Sequence, residues 1–397
     1  MIRKIISLAF CIGMSACQPP AGEELVQPLG SADTSPTAAI QSAPCPGTDS
    51  FAVQVFSVLA AAQKDNFIFS PAGLEAVLRL LQQGARGATE AELAALPMGK
   101  PGVRTAMTPT EAAALFISND LVLKPGVKAD EVLKVPFATA PAQSAKLINN
   151  WAKKCTRGLI SSVISAEDIS PATALVAANA IYLKEKWLYP FPANDTQVDD
   201  NFTTENGARV PVAMMCSEAK YPYAEGADWR AVALPYNTEG RSGEPGYFIG
   251  ILPKNSARDF AANLTPQLYR DICKALADSQ KKKTIVHLPR MEAKPGTYNL
   301  KPALQACGLK NIFTLAADFS GFCRQQLYLD DVLQRCYIKA NEEGTEAAAV
   351  TIGLVKYQAI TPGPQPELIR FDRPFIWIIG DLNTPAAPYF MGIMQRP

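Results

Sequence analysis

The stretch NEEGTEAAAVTIGLVKYQAITPGPQP, residues 341–366, reads like a strand left out of its sheet. It opens with Glu342, Glu343 and Glu346 around Gly344 and Thr345, then runs through small and β-branched residues. Residues 342–361 hold no proline, although the chain has 32, and proline returns at 362, 364 and 366. A segment destined for the middle of a sheet must lack proline, because each missing N–H removes a ladder bond. Alternate positions make two rows. Thr345, Ala347, Ala349, Thr351, Gly353 and Val355 form one, uncharged and slim enough to slide over a packed core. Glu346, Ala348, Val350, Ile352 and Leu354 form the other and hold the only charge. About a dozen inserted residues would gain about two dozen backbone bonds at ~1 kcal/mol each, while ordering them costs ~1–2 kcal/mol apiece. These nearly cancel, so burial alone would not drive such an entry, and the slim row would serve its speed.

Working outward, the totals exclude more than they assign. The chain has 397 residues, 48% hydrophobic and 19% charged, with 38 basic residues against 37 acidic. A net charge of +1 gives no electrostatic case for nucleic acid or an anionic membrane surface. The run Lys281, Lys282, Lys283 reads as the solvated end of a helix. One histidine, His287, would have to serve any Ser-His-Asp or Cys-His site, and its alternating strand TIVHLPRM marks it as structural. Nucleophile elbow, zincin helix, P-loop and dinucleotide turn are all missing, and no carboxylates cluster at a metal-ligand spacing. Neither cofactor nor metal is expected, and the chain reads as a non-enzyme. An envelope hydrolase is undercut by the single imidazole.

The amino terminus reads as an address. Arg3 and Lys4 precede an apolar run, Ile5–Met14, too short to span a bilayer. MSAC, ending at Cys17, resembles the lipobox of bacterial lipoproteins. That resemblance implies a signal peptide over 1–16, a diacylglycerol on the Cys17 sulfur and acylation (for example by palmitate) of the new amino terminus. Three chains anchor stably where one does not. Gln18 leans towards the outer membrane of a Gram-negative bacterium; the alternative is an ordinary cleaved signal peptide. Residues 17–48, rich in Pro, Ala and Ser, form a tether. No composition shift divides 49–397, read as one domain. Seven cysteines remain after Cys11 and Cys17 (45, 155, 216, 273, 307, 323 and 336), without any C-x-x-C, and sequence cannot pair them. Buried free thiols are expected.

Periodicity predicts helices over 50–62 (capped by Ser50 or Asp49), 72–87, 89–96 with Thr89 as cap, 267–279 and 301–308. Strands are predicted over 66–71, 113–123 and 174–187, in three segments across 212–253, around His287, and in two final apolar runs. Strands clustering late among irregular helices favour a mixed α+β fold with large, mainly antiparallel sheets.

FIFSPAGLEAVLRLLQQGARGAT, LINNWAKKCTRGLI, ATALVAANAIYLKEKWLYPF, YNLKPALQACGLKNIF and RFDRPFIWIIGD…YFMGIM occur in an order that resembles the serpin family across residues 50–397. The resemblance implies three sheets, about eight helices and an exposed reactive-centre loop, here about 342–366. It implies that a protease acylates itself on the loop, the cut loop inserts into the main sheet, and the protease is trapped as a covalent complex on a monomeric, consumed inhibitor. Chymotrypsin-like or trypsin-like serine proteases would be the partners, and papain-like cysteine proteases a further class. NEEGTEAAAVT resembles the hinge of inhibitory members: Glu342, Glu343, Gly344, Thr345, Glu346, Ala347, Ala348 and Ala349. Counting from Gly344, the family's spacing puts the reactive bond at Gln358–Ala359, with Tyr357 and Lys356 as alternates. A non-inhibitory carrier, chaperone or plain substrate is the other reading, and it would want bulk, charge or proline in the slim row. Ser70, Asn179 and Gln334 match the buried polar network beneath the opening sheet. Gln334 stands where histidine is usual and Gly73 where serine is usual, which implies an altered network. The short stretch 97–150 implies a reduced cofactor helix and no heparin-type activation.

Overall fold

The computed structural model describes residues 51–98, 106–107, 109–128, 130–293, 296–345, 365–385 and 388–397. Cys17, Cys45 and loop positions 346–364 lie outside the described residues. With them lie the expected reactive bond at Lys356–Ala359 and the hinge residues Glu346 to Ala349.

Three sheets organise the chain. Phe67–Phe69, Phe390–Met394, Phe375–Gly380, Tyr247–Pro253, Trp229–Pro235 and Tyr223–Glu225 make a six-stranded antiparallel sheet in that spatial order. The two final runs are buried along their whole length, as unbroken apolar sequence requires. A four-stranded sheet follows the order Glu367–Arg370, Lys282–Pro289, Arg209–Tyr221 and Gln197–Thr203. Alternation is visible there: Val286 and Leu288 are buried, Ile285 and His287 half-buried.

The main sheet sets Val132–Val135, Thr110–Ser118, Leu175–Tyr182 and Asp331–Ala340 side by side. Met291–Ala293 and Tyr298–Asn299 cover the far side of Asp331–Ala340. Its two middle strands, Leu175–Tyr182 and Asp331–Ala340, run parallel, from Val176 opposite Asp331 to Tyr182 opposite Tyr337. Helix Pro71–Gly84 lies on one face with Leu74, Val77, Leu78 and Leu81 buried. Helix Pro141–Cys155 covers the other, packing Ile148 and Ala152 with Phe116, Ala178 and Ala180. Each fully buried aliphatic side chain contributes about 1.5–3 kcal/mol, so both faces of the seam are strongly held. Seven α-helices occur among the described residues, close to the expected eight.

Three local expectations are corrected. Helix Gly87–Ala94 begins ahead of Thr89, whose buried hydroxyl accepts from the Asp318 N–H at 2.8 Å instead of capping. The strand expected over 113–123 spans Thr110–Ser118 and ends at an Asn119–Asp120 turn, residues suited to turns. The run 174–187 is two strands, because after Tyr182 the chain leaves one pairing partner for another.

Candidate functional site

At the head of the parallel seam, Glu185–Lys186 pairs antiparallel with Gly344–Thr345, and Thr345 pairs in turn with Ala340. Thr345 is fully buried, and its hydroxyl shares a 2.7 Å hydrogen bond with Tyr236. Burial pushes the Tyr236 phenol far above its usual range, so it stays protonated. Gly344 is required by a close approach: a Cβ there would stand 2.1 Å from the Glu185 carbonyl oxygen.

The three lines share one register. Ala340 and Glu185, the residues facing Thr345, stand in the same alignment as Gln334 and Asn179, paired lower in the seam. Thr345 therefore occupies the first rung of a third strand between two parallel ones. Below it the seam is closed.

Aromatic and ionic contacts fix this rung. Trp187 stacks on Tyr236 with centroids 4.9 Å apart and planes at 11°. Its indole N–H donates to the Asn341 carbonyl at 2.8 Å, and its backbone N–H to that of Glu343 at 2.9 Å. The Glu342 carboxylate accepts from Arg290 (Nη2–Oε1 2.6 Å, Nε–Oε1 2.9 Å) and from the Thr196 hydroxyl at 2.7 Å. Burial disfavours its charge, but the hydrogen bonds from Arg290 and Thr196 outweigh this and hold the carboxyl below its ordinary value of 4.5. Glu185, 5% exposed, is held in a fork by Arg241, with both contacts at 2.7 Å.

Lower down, Ser70, Asn179 and Gln334 come together beneath the seam, each buried. The Gln334 amide closes a reciprocal pair: Oε1 accepts from the Ser70 N–H at 2.8 Å and Nε2 donates to the Ser70 carbonyl at 2.8 Å. Nε2 also reaches Asn179 Oδ1 at 3.4 Å. Ser70 caps helix Pro71–Gly84, accepting from the Gly73 N–H at 3.1 Å, and donates to the Tyr389 carbonyl at 2.7 Å. Asn179 donates to the Ala112 carbonyl at 3.0 Å. Gly73 belongs to the same arrangement, since a Cβ there would lie 2.0 Å from Asn179 Oδ1.

His287 stands apart from the seam. Its Nδ1 accepts from Arg370 at 3.1 Å and its Nε2 faces Cys216 Sγ at 3.9 Å. Burial, then the Arg370 charge, lowers its pKa, and burial raises the Cys216 thiol. With Nδ1 accepting from the guanidinium, the neutral ring carries its proton on Nε2, so Nε2 meets Cys216 as a donor and not as the base of a thiol nucleophile. The six described cysteines are free; Cys273, Cys323 and Cys336 are buried. Groups of three or more potential metal ligands are absent among the described residues.

Sequence reasoning missed Glu185, Trp187, Tyr236, Arg241, Thr196 and Arg290. One signal was available: IYLKEKWLYPF places an acid inside an apolar strand, and a buried carboxylate demands a cation. Which of 38 lysines and arginines answers it is a fact of tertiary structure.

Comparison with known proteins follows the same lines. The family model Serpin (serine protease inhibitor) matches residues 110–397. An uncharacterised serpin-like protein of Thermococcus kodakarensis is 31% identical over 381 residues, covering 88% of this chain and 84% of the relative. Iripin-2 of Ixodes ricinus is 30% identical over 381 residues, with 87% and 91% covered. The crystal structure of native protease nexin-1 with heparin superposes with a TM-score of 0.74 at 25% identity, covering 88% of this chain and 98% of that one. Members of this family are in general protease inhibitors rather than enzymes, and proteases are their partners. By its matched residues, its relatives and its three-sheet fold, this chain belongs to the serpin family.

Proposed function

We propose that the chain is a suicide-substrate inhibitor of serine proteases, of chymotrypsin-like or trypsin-like specificity, that traps an acyl-enzyme by inserting its cut loop into the main sheet. Papain-like cysteine proteases are a further class within reach of the same acyl chemistry. One observation carries the reading: Thr345 already sits between Ala340 and Glu185, in register with the closed seam below. Extended down that register, a strand entering after Thr345 runs antiparallel to both neighbours. Thr351 then falls between Gln334 and Asn179, and Glu346 between Lys339 and Lys184. The uncharged row of Thr345, Ala347, Ala349, Thr351 and Gly353 meets the core-facing line Ile338, Cys336, Gln334 and Val332, all buried.

Insertion exchanges one parallel ladder for two antiparallel ones, which pair slightly better per residue. The gain is thus smaller than a count of new bonds alone suggests, because the existing seam must be broken first. That strengthens the view of the slim row as a kinetic device. The family's spacing counted from Gly344 supports Gln358–Ala359 as the reactive bond, with Tyr357 and Lys356 as alternates. The inhibitor works as a monomer. It is held at the cell envelope by lipid on Cys17, on the support of the MSAC motif and the tether over 17–48.

The test is incubation with chymotrypsin-like and trypsin-like proteases, followed by denaturing electrophoresis. A complex that survives boiling in detergent is expected, and cleavage fragments alone would overturn the reading. Mass spectrometry of the released carboxyl-terminal peptide names the bond. For the anchor, Cys17→Ser should move the protein from the membrane to the soluble fraction, and an unchanged distribution would refute lipidation.

A further inference from the structure

We infer that Arg241 is a positioning residue for loop insertion: by clamping Glu185 it holds the first rung of the third strand in place and so sets how often the cut loop traps its protease. This rests on the reading above, but its structural half does not.

Glu185 has an unusual post. It is the pairing partner of Thr345, yet it is a carboxylate at 5% exposure in the main sheet. A buried carboxylate holds its charge only with good hydrogen bonds. Arg241 supplies them, Nη1 to Oε1 and Nη2 to Oε2, each at 2.7 Å. Its own position is fixed from the turn 237–246, which joins Trp229–Pro235 to Tyr247–Pro253. Nη2 donates to the Asn237 carbonyl at 2.5 Å, and the Arg241 N–H to the Thr238 carbonyl at 2.9 Å. Asn237 in turn donates its N–H to the Lys186 carbonyl at 2.7 Å, and Leu188 donates to the Pro235 carbonyl at 2.8 Å. One surface turn thus grips the short strand Glu185–Lys186 by backbone and by side chain.

The grip matters because that strand's own ladder is short. It is two residues long and pairs with the two-residue strand Gly344–Thr345. Short pairings like this open easily unless neighbours fix them. Without Arg241, the Glu185 carboxylate would lose its guanidinium fork, two contacts of 2.7 Å, while still lying beside the Thr345 rung. The strand would swing outward to hydrate it, taking the first rung with it. Thr345 would then have to find its place after the cut, while water competes for the acyl bond. The clamp removes that search.

The experiment uses Arg241→Met, Arg241→Lys and the wild-type chain, each checked for a cooperative melt. Hydrogen exchange on the intact proteins reads peptides spanning 183–188 and 342–345. Exchange about tenfold faster in Arg241→Met, with Arg241→Lys between it and wild type, is expected from loss of local protection. Equal exchange overturns the clamp, whether or not the chain inhibits anything. Stoichiometry of inhibition is then measured with a protease that wild type traps. At least a doubling in Arg241→Met, with loop cleavage within about twofold of wild type, is expected if the rung sets partition between trapping and release. Faster exchange with unchanged stoichiometry would overturn the link to trapping. If wild type forms no complex, the proposed function fails, and the exchange data still decide the clamp.

Discussion

Gln334 shows how one side chain closes a sheet. Its amide satisfies both backbone groups of Ser70, the residue that starts helix Pro71–Gly84, and touches Asn179 across the seam. Replacing it by a residue of like size without polar atoms orphans one buried donor, the Ser70 N–H, while the Ser70 carbonyl keeps the Leu74 N–H at 3.1 Å. Gln334→Met should therefore cost about 1–3 kcal/mol, the penalty of one unsatisfied buried group. A urea titration checks it, and a loss under about 1 kcal/mol would mean that water repairs the gap. Gly73 belongs to the same arithmetic of space, because Asn179 occupies the volume that a serine Cβ would take.

Among the elements, the hinge carries the sharpest expectation. Thr345 faces a phenol, an indole-stacked wall and a backbone with no spare room. Thr345→Arg should convert inhibitor to substrate: loop cleavage continues, complex disappears, and stoichiometry rises at least several-fold. Undiminished complex would contradict insertion at this rung. The edge strand Glu367–Arg370, first after the loop, makes a prediction of another kind. His287 holds Arg370 through a neutral imidazole whose pKa is lowered by burial and by that guanidinium. A lowered folded pKa means the unfolded chain takes the proton more readily. The stability from this contact is complete above the ordinary value of 6.5 and is lost as pH falls below it. Glu342, also lowered, acts separately below 4.5. Urea midpoints should thus drop between pH 7.5 and 5.5, and His287→Gln should flatten that drop. At this scale the sequence was mostly legible. Apolar periodicity located most of the strands and helices, whereas the proline-free stretch 346–361 lies outside the described residues. What periodicity hides is partner choice. The break after Tyr182, the turn of Thr89 to Asp318, and the pairs Arg290–Glu342 and Arg241–Glu185 all join residues dozens of positions apart. Ser70, Asn179 and Gln334 were found through family resemblance, whereas their bonding, with Gln334 and Gly73 in place of histidine and serine, needed coordinates.

For the whole molecule, the uncut state keeps a parallel seam where a three-stranded arrangement with a single register is available. On the proposed mechanism, cutting the loop frees the segment to complete it. Limited proteolysis at 356–359 should raise Tm by roughly 5 °C or more, since each added kcal/mol moves a large domain by a few degrees at most. A melt unchanged by cutting would mean that the seam does not accept the segment. The alignment of Ala340 and Glu185 with Gln334 and Asn179 has one more outcome, and it concerns heredity. Because side chains alternate, deleting a single codon between Thr345 and the cut would turn every later inserting residue over and bring the row of Glu346 onto the core-facing line of Ile338, Cys336 and Gln334. On the proposed mechanism, the near side of the cut can then diversify only letter by letter, like text in a fixed reading frame, while the far side, which would not join the main sheet, is at liberty to grow or shrink.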